Sequence, residues 1–183
     1  MRRIINSTYI TLDGVIEEPQ NWPSGRHTDD GRGTEIQTEL LLSCDALLLG
    51  RRTYDAFLPV WTVMSGDPYS DHINTMEKWV VSHTLTDPTW NNSQVLPGDV
   101  AAEIARRKNQ DGGNIVQYGF GAVTDLLLAH GLLDELRLWV HPFMLGTGNP
   151  ADLLFRPDRA AHFDLVDTAP LSSGNVILTY RVA

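Results

Sequence analysis

The hydrophobic period of this chain switches repeatedly between two and 3.6, and glycine, proline or a short polar cluster marks each switch. Strands joined by helices produce that alternation, so the chain is expected to be an α/β protein. Its most restrictive segment is residues 46–49, an unbroken apolar run stopped by Gly50, which suits a strand buried on both faces. Strands are also expected over residues 3–12, 78–82, 114–118, 135–141, 163–169 and 175–182. The last two flank Ser172-Ser173-Gly174 as a hairpin. Helical spacing appears in Ile36, Leu40, Leu41 and Cys44, over residues 53–60 up to Pro59, from Asp99 to Gly112-Gly113, and over 120–130 with Gly131 as the closing residue. Residues 17–33 and 87–97 read as loop, and 62–77 as irregular with a helical turn near 70–76. No repeat or linker divides the chain, so residues 1–183 are expected to form one domain.

Charge and composition narrow the function. Lys and Arg number 14 against 23 Asp and Glu, a net charge of −9. That balance excludes the basic face of a non-specific duplex binder and a polybasic membrane anchor. The longest apolar runs hold four residues, against about 20 needed to span a bilayer. No apolar segment follows Arg2 and Arg3 as a secretory signal requires. One cysteine rules out an internal disulfide framework, and the six histidines show no pair at metal-ligand spacing. No Gly-x-Ser-x-Gly elbow is present. The expectation is a cytoplasmic protein acting on small molecules, without metal, nucleic acid or membrane.

Three strand ends carry candidate chemistry. The first is Gly50-Arg51-Arg52-Thr53, where a buried strand meets a helix start. Backbone N–H groups, the positive dipole end and two guanidinium groups suit a phosphate there, with Thr53 as helix cap or phosphate ligand. Surface ion pairs with Asp45 or Asp55 explain the arginines equally well. The second is Gly119-Phe120-Gly121 after residues 114–118, either a pyrophosphate turn or a tight turn without ligand. As a dinucleotide fingerprint it is poor, since Thr124 holds the third glycine position. The third is Asp13-Gly14, a ligand-facing strand end or an Asx turn. Glu35 and Glu39 share a helix face, as an acid pair or as solvated charge. Cys44 and His141 read as core residues, and Arg106, Arg107 and Lys108 as complements of a helix C-terminus.

Taken together, several segments resemble the dihydrofolate reductase superfamily, and most closely the reductase domain of bacterial riboflavin biosynthesis and its stand-alone relatives. They are Thr11-Leu12-Asp13-Gly14; Leu47-Leu48-Leu49-Gly50-Arg51-Arg52-Thr53-Tyr54; Lys78-Trp79-Val80-Val81-Ser82; Tyr118-Gly119-Phe120-Gly121; and Gly131-Leu132-Leu133-Asp134-Glu135-Leu136-Arg137-Leu138, which continues through Trp139-Val140-His141-Pro142 to Leu145-Gly146-Thr147-Gly148. The resemblance implies a three-layer α/β fold with a mixed, mainly parallel central sheet, and NADPH across its strand ends. It implies that Gly50, Arg51, Arg52 and Thr53 contact the cofactor phosphates, that Ser82 stands near the adenosine phosphate, and that Tyr118, Gly119, Phe120 and Gly121 form the pyrophosphate turn.

The implied activity is that of an NADPH-dependent reductase of a small heterocycle or carbonyl compound, similar to 5-amino-6-(5-phosphoribosylamino)uracil reductase. The loop with Trp22 and Pro23 would cover the nicotinamide, and relatives of this kind are often homodimers. Two departures stand out. Tyr118 precedes Gly119 where dihydrofolate reductases have a second glycine, and the residues flanking Glu35 do not match the folate-contacting helix. Asp13 and Glu35 are the candidate proton donors, with water as their rival. A second basic cluster for a phosphorylated substrate is limited to Arg26 and Arg32. The alternative is a nucleotide- or flavin-binding sensor without turnover.

Overall fold

Apolar residues in alternating or continuous runs supply most of the buried strands, and they sort by parity onto two faces. Leu47 and Leu49 join one core with Ile5, Val80 and Val116; Ala46 and Leu48 join the other with Ile4, Trp79 and Ile115. A period of two makes this division. The computed structural model describes residues 1–23, 30–146, 149–155, 157 and 160–183. Arg26, His27, Thr147 and Gly148 lie outside them.

In chain order the elements are β1 (Ile4–Thr11), α1 (Arg32–Leu42), β2 (Cys44–Gly50), α2 (Arg51–Trp61), α3 (Pro68–Thr75), β3 (Glu77–Val81), β4 (Ser93–Val95), α4 (Val100–Lys108), β5 (Asn114–Tyr118), α5 (Ala122–Ala129), β6 (Glu135–His141), β7 (Phe163–Pro170) and β8 (Val176–Val182). Short 3₁₀ turns occur at Pro19–Asn21 and Pro150–Asp152. The strands form one eight-stranded sheet in the order β4-β3-β2-β5-β1-β6-β8-β7. Only β8 runs against the others among the described strands. Leu40 and Leu41 of α1, Tyr54 of α2 and Ile73 of α3 pack on one face of the sheet; Ile104 of α4 and Val123 and Leu127 of α5 pack on the other. The expected three-layer, mainly parallel α/β fold is therefore present.

Strand β5 returns between β2 and β1, so the chain leaves β2 towards β3 on one side and leaves β5 towards β6 on the other. The crevice at the carboxyl ends of β2 and β5 is thus a topological switch point, where ligands of open α/β sheets bind. Both helices that begin there, α2 and α5, lie on opposite faces.

Several expectations change. Helix α2 continues through Pro59 to Trp61. The lost Pro59 N–H would have bonded the Asp55 carbonyl, and both residues are exposed, so water can take that acceptor. Residues 62–77 contain a full helix, α3, capped by Asp67, whose side chain accepts from the Tyr69 and Ser70 amides. Cys44 opens β2 instead of closing α1, although it is buried as expected. The short β4 lies in the stretch read as turn-rich. Helix α5 starts at Ala122, after the glycine turn. Arg107 and Lys108 are buried: Arg107 binds Glu103 and Gln94, and Lys108 binds the Leu132 carbonyl and Asp134.

The Lys78 side chain is fully buried and secures the end of α3. Its Nζ donates to the carbonyls of Asn74 (3.0 Å), Met76 (2.9 Å) and Asn91 (2.9 Å) and lies 4.7 Å from the Trp90 ring centroid. It thereby satisfies helix-end carbonyls that have no intrahelical donor. Burial pulls its pKa down to about 8. Lys78→Met should therefore lower stability by about 3 kcal/mol at neutral pH, as buried acceptors lose their partner. Between pH 8 and the unfolded-state value, only the unfolded chain keeps the extra proton, so this lysine's contribution to stability rises with pH. Urea unfolding of both proteins should show their stability gap widening from pH 8 to 10; a constant or narrowing gap contradicts this account.

Candidate active site

Two turns meet at the switch point. Gly50 ends β2 and caps α2 without a side chain; Gly121 caps α5, also without one. Arg51 is therefore the first residue of α2, and Thr53 lies within the first turn, not at the cap. Between the turns the fit is close. A Cβ on Gly50 would come 3.3 Å from Val123 Cγ2, and one on Gly119 would come 3.6 Å from Thr53 Oγ1. Gly119 has φ of +76°, a conformation that disfavours any side chain. The turn after β5 therefore packs directly against the first turn of α2.

A buried polar network fixes the second turn. The Gly119 carbonyl accepts from Asn6 Nδ2 (2.7 Å) and Gln117 Nε2 (2.8 Å). Asn6 Nδ2 also donates to Gln117 Oε1, Thr124 Oγ1 donates to the same oxygen at 3.1 Å, and Thr8 Oγ1 donates to Asn6 Oδ1 at 2.8 Å. All four side chains are almost fully buried. Sequence patterning gives no sign of this network, since its members sit 111 residues apart across β1 and β5.

The sequence-derived candidates fall into three groups. Gly50, Arg51, Arg52, Thr53, Gly119, Phe120 and Gly121 come together in the crevice. Ser82 lies beside them, because its neighbour Val81 pairs with Gly50. Its hydroxyl accepts from the Thr84 and Leu85 amides and shapes the turn after β3. Tyr118 belongs to the same strand end, but its hydroxyl accepts from Tyr69 at 2.9 Å, and burial drives its pKa well up. Both arginines are half-exposed or exposed and ion-paired. Arg51 Nε binds Asp55 at 2.8 Å, and Arg52 Nη2 binds Glu17 at 3.1 Å. Asp45 is instead taken by Arg2.

Both candidate acids already have partners. Asp13 accepts from the Thr11 hydroxyl and from the amides of Leu145 (3.0 Å) and Gly146 (2.7 Å). The Thr11 hydrogen bond, then that from Gly146, holds its carboxyl below the ordinary aspartate range. This charged group anchors the segment after β6. Glu35 sits in the first turn of α1 with an exposed side chain, paired to Arg32 at 3.1 Å; Glu39 shares that arginine at 3.9 Å. The sheet-facing side of α1 carries Gly33, Leu40 and Leu41 instead. Glu35 and Glu39 thus form a solvated face.

An aromatic cluster lies at the ends of β1 and β6. Tyr9 packs 5.6 Å from Trp139 and 5.1 Å from His141; Trp22 meets His141 and Phe143 edge-on at 5.2 and 5.8 Å. His141 is only partly buried, in contrast to the core role read from sequence, and burial lowers its pKa. The Trp22 indole donates to the Glu17 carbonyl at 2.9 Å. Glu18 between them has φ of +50°, a strained conformation for a non-glycine residue. The segment after β1 is thereby folded over the strand ends. A cavity of about 360 Å³ opens beneath it, beside Arg52. Val15, Trp22 and Leu145 give it apolar walls; Glu17, Glu18 and Asp152 give it carboxylates. Among the described residues, no group of three or more His, Cys, Asp and Glu could hold a metal ion.

Comparison with known proteins follows the same outline. Residues 2–177 match the RibD C-terminal domain. The uncharacterized protein YyaP of Bacillus subtilis (strain 168) is 28% identical over 185 residues, covering 98% of this chain and 95% of that protein. The crystal structure of a protein assigned to riboflavin biosynthesis in Shewanella sp. PV-4 superposes with a TM-score of 0.70 at 23% identity, covering 99% of each chain. A Thermotoga maritima diaminohydroxyphosphoribosylaminopyrimidine deaminase/5-amino-6-(5-phosphoribosylamino)uracil reductase superposes with a TM-score of 0.66 at 16% identity. All of this chain matches 57% of that one.

The Asp13 anchor has a pH signature. Its folded pKa lies below the unfolded value, so its stabilisation is present above about pH 4 and disappears as pH falls through the folded value. Asp13→Asn should be less stable than the parent at pH 6, and the two should converge towards pH 2 in thermal melts. A gap that persists undiminished at low pH contradicts the assignment.

Proposed function

The chain belongs to the RibD C-terminal domain family, and we propose on that premise that it is an NADPH-dependent reductase of a small heterocyclic or carbonyl substrate. One observation carries the reading. Two side-chain-free helix starts meet at the switch point, with Gly119 seated against the Thr53 hydroxyl. A pyrophosphate needs this kind of close backbone approach.

The residues present fit a phosphorylated dinucleotide. Gly50, Thr53 and the Gly119-Phe120-Gly121 turn would hold the pyrophosphate. Arg51 and Arg52 would hold the 2′-phosphate, with Ser82 on the adenosine side and Tyr118 bracing the turn from behind. A phosphate would replace Asp55 and Glu17 as partners of the arginines. Such exposed ion pairs contribute little and exchange readily. The bound dihydronicotinamide supplies the hydride. The protein supplies orientation, and the segment carrying Trp22 shields the cavity from water. Asp13 positions the loop after β6, so we assign the proton to water instead of Asp13 or Glu35.

Arg51→Ala/Arg52→Ala should weaken NADPH binding about 100-fold while changing NADH binding far less, because charge-assisted hydrogen bonds to the extra phosphate contribute about 1.5–3 kcal/mol each. Nicotinamide fluorescence titration measures both. Equal losses for the two cofactors contradict the assignment, and NADPH binding without oxidation across a heterocycle and carbonyl panel favours the sensor. The reading also includes a homodimer through the outer strand β7, where Leu165 and Val166 are exposed. Light scattering should give about twice 20.4 kDa; the monomer mass at micromolar concentration rejects it.

A further inference from the structure

The cavity beside Arg52 is rich in carboxylates. Three carboxylates line it, those of Glu17, Glu18 and Asp152, and Arg52 is the only cation among its described lining residues. That guanidinium is already neutralised by Glu17 at 3.1 Å. Once a cofactor phosphate takes Arg52, Glu17 loses its partner and the cavity becomes more negative.

A second observation points the same way. The Leu145 and Gly146 amides at this rim, donors that could receive a phosphate, are both occupied by Asp13, which brings a further negative charge. The nearby His141 imidazole adds no compensating cation at neutral pH, since burial favours its neutral form. Val15, Trp22 and Leu145 also line the cavity, giving apolar surface suited to a planar ring.

We propose that this cavity receives a heteroaromatic substrate without a phosphate group, neutral or cationic, and discriminates against phosphorylated analogues. The inference rests on the reductase reading and specifies its substrate. A phosphate dianion in the cavity lies within a Debye length, about 8–10 Å, of several like charges and, among the described residues, meets no unoccupied cation. A neutral or cationic ring meets an apolar wall and an attractive rim.

The test uses matched pairs that differ only in phosphate: 5-amino-6-(ribosylamino)uracil and its 5′-phosphate, and riboflavin and FMN. Each is titrated anaerobically into the full chain saturated with NADP⁺ and followed by calorimetry. The unphosphorylated member of at least one pair should bind about tenfold more tightly or better. Glu18→Gln/Asp152→Asn should narrow that gap by strengthening the phosphorylated member, with a thermal melt confirming its fold. If that variant does not fold, raising salt from about 20 to 300 mM on the parent should narrow the gap through screening.

Equal or tighter binding of the phosphorylated members, binding of neither pair, or a gap unmoved by both the substitutions and salt overturns the proposal. NADPH titration of the same preparation separates the two levels. Failure to bind NADPH removes the reductase reading together with this inference. NADPH binding combined with a preference for phosphate removes this inference alone.

Discussion

The hydrogen bonds linking Asn6, Gln117, Thr124 and the Gly119 carbonyl hold the functional end of the sheet in one arrangement. Amide side chains in a low-dielectric core are costly unless every group finds a partner. Here they find one another and the backbone of the turn. A substitution that removed one partner would leave the others buried and unsatisfied, so the network specifies the β1–β5 pairing as well as stabilising it. With the Gly119 carbonyl held by Asn6 and Gln117, that turn rests against the Thr53 hydroxyl. The surfaces at the ends of β2 and β5 then behave as one.

Much of the architecture was legible because its signals are local. The run at 46–49, the Gly131 stop and the glycine turn at 119–121 each declare themselves within a few residues. What was missed depends on distant partners or on weak local cues. Strand β4 has three residues and exists through its pairing with β3. Helix α3 does carry a local sign, Asp67 followed by Pro68, an N-cap and a first-turn proline. Pro59 misled because a helix interior tolerates proline when the freed carbonyl faces water.

The site was legible to a similar depth. Sequence found the two turns but not that they touch, because strand order is not written in either segment. Glu35 is a candidate acid by sequence, yet helix phase turns it towards Arg32 and solvent. Gly33, one helical turn before Gln37, faces inward instead, where a side chain would crowd Leu171 and Trp139. The aromatic group of Tyr9, Trp22, Trp139, His141 and Phe143 draws on three separate segments, and only the β1–β6 register brings them together. The arginine pair illustrates a different point. The ion-pair and phosphate readings described the same residues with different partners, and exposed ion pairs leave room for both.

The central place of β1 also shapes how the polypeptide acquires its structure. Ile4 pairs with Ile115 and Ile5 with Glu135, so both neighbours of β1 lie more than a hundred residues further along the chain. Such distant pairings slow folding and prolong the life of partly ordered intermediates. Until those partners form, β1 is an unpaired edge, a template for association with other chains. The same crossing that creates the crevice therefore builds a slow, association-prone stage into folding.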